Sequence, residues 1–153
     1  MKKGQSMKEK ASLAAMEPVF RAILDGGGVF TLRPRGDSMR PTIVPGRDSV
    51  SIVKWDGQVS LYDILFYKRA DGNFVLHRVL GIDKDGFTMC GDNQVVLEHG
   101  VQVEQVIGIV TEIIRPQGTL ARGTRDFVSP GLRRAKNRPL RIIYGKLRRL
   151  LGK

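Results

Sequence analysis

The apolar positions of the chain change period twice. Over residues 8–25, Leu13, Met16, Phe20, Ile23 and Leu24 recur at three- and four-residue steps, which predicts an amphipathic helix. Pro18 falls inside that pattern, so a helix starting there, with the proline ring in its first turn, is the alternative. Gly26-Gly27-Gly28 ends the segment. The period then shortens. Residues 29–33, 50–55, 63–68, 74–82, 87–90 and 106–114 are short runs rich in β-branched and aromatic side chains, the composition of strands. Asp56-Gly57, Asp71-Gly72 and Asp85-Gly86 fall between them, and such pairs suit the positive φ of tight turns. These features predict a mainly β domain over residues 29–116, preceded by an N-terminal helical segment over 1–28. Residues 117–131, rich in Gly, Thr, Ser and Arg, read as a linker. The helical period returns in Leu140, Ile143, Tyr144, Leu147, Leu150 and Leu151, predicting an amphipathic helix within 132–153.

Charge changes the reading of that last segment. The chain carries a net charge of +11, but nine of its 26 basic residues and none of its 15 acidic ones lie in residues 131–153. The preceding chain is therefore near neutral, and the basicity belongs to the tail. A basic amphipathic helix is the pattern of a segment lying on an anionic membrane surface; docking on its own core or on a partner is the alternative. No nucleic acid partner is expected, because such modules interleave basic and aromatic groups and Tyr144 is the tail's only aromatic residue.

No run reaches the roughly 18 to 20 apolar residues that span a bilayer. Met1-Lys2-Lys3 begins as a signal peptide would, but residues 11–16 are too short and too weakly apolar for its core. The expected location is cytoplasmic or peripheral to a membrane. A single cysteine, Cys90, excludes an internal disulfide and reads as a buried small hydrophobe in Phe87-Thr88-Met89-Cys90. No Cys/His cluster has metal spacing, so neither metal nor cofactor is expected.

The candidate chemistry lies in three places. Arg35-Gly36-Asp37-Ser38-Met39-Arg40-Pro41-Thr42 holds one serine in a turn bounded by Gly and Pro. Leu76-His77-Arg78-Val79 holds a histidine in an apolar run, and Gly91-Asp92-Asn93 and Glu98 supply carboxylates. Serine is a weak nucleophile unless a neighbouring base takes its proton, and an imidazole needs an acceptor to fix its tautomer. Asp37 and Asp48 read as acceptors for turn amides. His99, beside Gly100, reads as a surface residue in a turn.

In order and spacing these boxes resemble the type I signal peptidase and SOS-repressor peptidase superfamily, over residues 29–115. Gly36-Asp37-Ser38-Met39-Arg40-Pro41-Thr42-Ile43 resembles its nucleophile box. In the bacterial signal peptidases and the repressors a lysine is the base; in the endoplasmic-reticulum and archaeal-like class a histidine in His-Arg-Val takes its place, as in His77-Arg78-Val79. The last box of that class is Gly-Asp-Asn, and its usual acidic partner lies six residues beyond the Asp, where this chain has Glu98. The third member is therefore Glu98 or Asp92. The resemblance implies a coiled, mixed β-sheet with its site in a groove at the sheet edge. It also implies Ser38 as nucleophile and oxyanion donor, His77 as general base and Met39 shaping a pocket for small residues; Arg78 either places substrate backbone or pairs with an acid. Substrates would be leader-like peptides with small residues before the cut. Most of the family carries a membrane anchor before the nucleophile box, and none is legible in residues 1–28.

Two other readings stand beside the peptidase. One is a self-cleaving regulator like the SOS repressors, weakened by histidine in place of lysine and by the few residues before the β domain. The other is a non-catalytic peptide-binding relative, for which Glu98 in place of Asp leaves room.

Overall fold

The computed structural model describes residues 2–150, with side chains from Leu13 to Leu150. Leu151 of the predicted apolar stripe and Lys153 of the basic set lie outside the described residues. The elements run α1 (Lys2–Asp25), β1 (Phe30–Leu32), β2 (Ser49–Lys54), β3 (Ile64–Lys68), β4 (Phe74–Asp83), β5 (Gly86–Cys90), β6 (Glu98–Val101), β7 (Val106–Arg115), β8 (Gly118–Ala121) and α2 (Arg125–Leu150).

Helix α1 passes through Pro18 rather than starting there. A proline inside a helix removes one backbone hydrogen bond, and packing offsets the loss. Phe20 is buried completely, its ring centroid 5.2 Å from Phe30 and 5.6 Å from both Phe66 and Phe74. Leu24 is buried one turn later, and Glu17 pairs with Lys68 of β3 at 2.7 Å. The glycines close the helix as the sequence suggests: Gly28 N–H returns to Ile23 O at 2.8 Å, and Gly27 takes φ 78°, a conformation costly for any residue with a Cβ.

All eight strands join one sheet in the order β1-β2-β7-β3-β4-β5-β6, with β8 pairing the far end of β7. Every pairing is antiparallel, which corrects the expected mixed sheet. Short turns link β3 to β4 and β4 to β5 and dictate antiparallel neighbours, residues 91–97 carry the chain from β5 to β6, and β7 runs opposite to both β2 and β3. Both faces are buried. One carries Phe30, Ile52, Ile64, Phe66 and Leu76 against α1; the other carries Leu65, Tyr67, Val79, Met89 and Ile109. The sheet coils strongly, because Glu98 of β6 bonds Tyr67 and Arg69 although β4 and β5 separate β6 from β3 in the order.

Residues 117–131 are not a linker. Their glycines make tight turns: Gly118 takes φ 133° as β7 turns into β8, and Gly123 takes φ 79° before α2. β8 pairs with β7 from Glu112↔Ala121 to Arg115↔Gly118. Helix α2 then begins with Phe127 and Gly131 buried against the sheet domain. Among the described residues, no helix is long and apolar enough to cross a membrane.

Candidate active site

The serine turn leaves β1 and is pinned from beneath. Met39 and Ile43 are buried, and Ile43 N–H bonds Met39 O at 3.0 Å. Asp48 accepts from the Val44 amide at 2.7 Å and from Arg47, as a turn acceptor does, whereas the Asp37 carboxylate accepts from the Arg40 guanidinium at 2.6 Å across the turn and from no amide among the described residues. Ser38 is half-buried, and its N–H donates to no other group among the described residues.

The Gly91-Asp92-Asn93 box holds this turn from the other side. Asn93 N–H donates to Ser38 O at 2.7 Å, and its Nδ2 donates to Asp37 O at 3.2 Å. A Cβ on Gly91 would stand 2.5 Å from Ser38 O, so only glycine lets the two loops touch.

Strand alternation divides the His-Arg-Val box. His77 pairs with Leu65 and Tyr67 with Val75, so His77 and Tyr67 share a sheet face, while Arg78 points to the opposite one. Met89 pairs with both Val79 and Glu98, which puts Glu98 on the face of His77. Ser38 and His77 meet in one cleft of about 310 Å³, lined also by Gly36, Met39, Arg69 and Gln94. No hydrogen bond joins Ser38 to His77 among the described residues.

His77 is nearly enclosed. Its Nδ1 lies 3.2 Å from the Tyr67 hydroxyl and 3.9 Å from Glu98 Oε2. The Tyr67 O–H donates to Glu98 Oε2 at 2.7 Å, and Arg69 grips both Glu98 oxygens at 2.9 and 2.6 Å. Burial, with the Arg69 charge behind it, pulls the His77 pKa from 6.5 to about 4, against an opposing pull from Glu98 and Asp92. The ring is therefore neutral at pH 7 and able to accept a proton. Arg69 holds the Glu98 carboxyl below its ordinary range, and burial with the Glu98 charge pushes the Tyr67 phenol far up.

Asp92 belongs elsewhere. It is buried, takes Arg78 Nε and Nη2 at 2.7 Å each, and accepts from the Thr42 hydroxyl. The remaining Arg78 nitrogen, Nη1, donates to Tyr62 O at 2.7 Å and to Phe127 O at 2.9 Å. Arg78 is 0% exposed and pairs with an acid, one of the two roles the sequence leaves open for it: it staples β4 to the Asp92 loop and to α2. Of the two carboxylates left open by the sequence, Glu98 is the one close to the His77 ring. His99 is exposed as expected but sits in β6, not a turn, with Nδ1 3.1 Å from the Thr88 hydroxyl. Cys90 is buried beside Gly91 and burial raises its thiol pKa, so it is an inert packing group. Among the described residues no group of three or more His, Cys, Asp or Glu is placed to hold a metal.

Tyr67 and Arg69 carry no motif and were not predicted. The Asp71-Gly72 turn is the available signal, since a hairpin closed there pairs Tyr67 with Val75 and so sets it diagonal to His77 on one sheet face. Compared with known proteins, the chain matches no protein-family model and no curated protein.

Proposed function

We propose that this protein is a serine endopeptidase of the signal-peptidase type, with a histidine base, and that its sheet is the peptidase domain of that superfamily. The observation that carries the reading is the meeting of Ser38 and a neutral, anchored His77 in one cleft. Ser38 Oγ attacks the substrate carbonyl carbon while His77 Nε2 takes the hydroxyl proton. The carbonyl electron pair moves onto oxygen, where the undonated Ser38 N–H is available as one oxyanion donor; such a donor is typically worth about 3 kcal/mol. Collapse breaks the C–N bond, and His77 returns the proton to the leaving amine. Water then hydrolyses the acyl-enzyme by the same route. Met39 forms the floor of the cleft, which suits small side chains before the cut.

The test is covalent labelling of Ser38, acylation by a penem or phosphonylation by a fluorophosphonate probe, read by mass spectrometry. Labelling should be lost in both Ser38→Ala and His77→Ala while each variant keeps its fold. One observation favours a second reading, a peptide-binding relative without turnover: Ser38 and His77 are not hydrogen-bonded. Unlabelled but folded wild-type protein would select that reading.

The proposed location is a membrane surface, through α2. Leu140, Ile143, Tyr144, Leu147 and Leu150 are exposed along this helix among its arginines and lysines. Each basic residue near an anionic surface contributes about 1 kcal/mol. Co-sedimentation with phosphatidylglycerol vesicles should fall on Leu147→Glu and on raising salt; equal binding to neutral phosphatidylcholine vesicles would count against it.

A further inference from the structure

We infer that Tyr67 is a positioning residue whose hydroxyl, set between His77 and Glu98, fixes the tautomer of the base and carries the carboxylate's influence to it. The inference rests on the peptidase reading for its purpose, though its geometry stands independently.

Proton counting makes the assignment. Glu98 is ionised, so it only accepts, and Tyr67 has one proton to give. The shorter contact, 2.7 Å, spends that proton on Glu98 Oε2. The Tyr67 oxygen can then only accept at its 3.2 Å contact with His77 Nδ1. The neutral imidazole must bring its proton to that contact, which leaves Nε2 as the bare nitrogen. This is the tautomer a general base needs. Glu98 cannot do the same directly, because 3.9 Å exceeds hydrogen-bond range.

The relay is held rigidly. Tyr67 is 0% exposed and packs with Leu65, Val79 and Met89, and its ring meets the imidazole edge-on at 6.2 Å. Arg69 fixes the far end by its two bonds to Glu98. When His77 takes the serine proton and becomes cationic, the hydroxyl dipole, polarised by Glu98, already points its lone pairs at the ring. Neither the Nδ1–H nor the Oη–H bond needs to break.

The experiment reads the His77 ring nitrogens by ¹⁵N NMR on the resting full chain, alongside the rate of Ser38 acylation. The wild type should show Nδ1–H. Tyr67→Phe keeps the ring and deletes the hydroxyl; it should shift His77 toward the Nε2–H tautomer and slow acylation about 100-fold. Should Tyr67→Phe fail to fold, Glu98→Ala supplies the test. Freed from its acceptor, the Tyr67 proton should turn to His77 Nδ1 and flip the ring to Nε2–H, whereas Glu98→Gln, which keeps an acceptor oxygen, should not. An Nε2–H tautomer in the wild type would overturn the inference. So would an unchanged tautomer in Tyr67→Phe or, where that variant does not fold, in Glu98→Ala. If the tautomers behave as stated but Ser38 is never acylated, the positioning role stands and the peptidase reading falls.

Discussion

His77 and Arg78 are neighbours on one strand and have opposite fates. Arg78 points to the sheet face covered by helices and spends its guanidinium on Asp92, Tyr62 O and Phe127 O. His77 points to the other face, gives one nitrogen to Tyr67 and turns toward the serine cleft. The two-residue period of a strand thus separates fastening from chemistry within a single motif. The same split explains the two carboxylates: Asp92 lies on the fastening side and Glu98 on the chemical side.

Arg78 offers the strongest way to break this comparison. Arg78→Met would leave Asp92 buried without its counter-charge and loosen α2, where Gly131 packs so closely that a Cβ would stand 2.1 Å from Arg78 Cδ. A loss of about 3–5 kcal/mol in chemical denaturation is expected, the usual cost of breaking a buried pair from one side. A variant as stable as wild type would show that the buried pair fastens nothing.

His77 should show its burial through pH. Its folded pKa, about 4, lies below the ordinary 6.5, so between those values the unfolded chain binds a proton that the folded chain refuses. Stability therefore falls as pH drops from 6.5 to 4, by up to about 3 kcal/mol from this group. His77→Gln should remove that part of the acid sensitivity, measured as the pH dependence of the denaturation midpoint. Equal slopes in both proteins would mean that His77 is not shielded.

Most of the sheet was legible. β1, β2, β3, β4, β5 and β7 coincide with β-rich runs, and Asp71-Gly72 and Asp85-Gly86 fall where the chain reverses, as at Asp71, which accepts from Asn73 N–H at 2.9 Å, whereas Asp56-Gly57 lies in the crossover between β2 and β3, which run parallel to each other. β6 was missed because Glu98-His99-Gly100-Val101 has little strand composition; the edge of β5 imposes the conformation. Two prolines, Pro130 and Pro139, disguised the start and length of α2, which tertiary contacts hold in place: Phe127 beneath, and Arg138 and Arg141 bonded to Val95 O and Gln94 O. At the site, Ser38, His77 and Glu98 were visible as residue types in order, whereas Tyr67 and Arg69 acquire their roles only when the sheet coils β6 over the end of β3.

The most direct measurement is the rate of Ser38 acylation from pH 3.5 to 8, in wild type and in His77→Ala. With a shielded neutral base, the wild-type rate should hold from neutral pH down to an acid limb near pH 4, and His77→Ala should be almost unreactive throughout. An acid limb near 6.5 would contradict the shielding of His77. Labelling that survives His77→Ala, or no labelling at all, would contradict the serine–histidine pair itself.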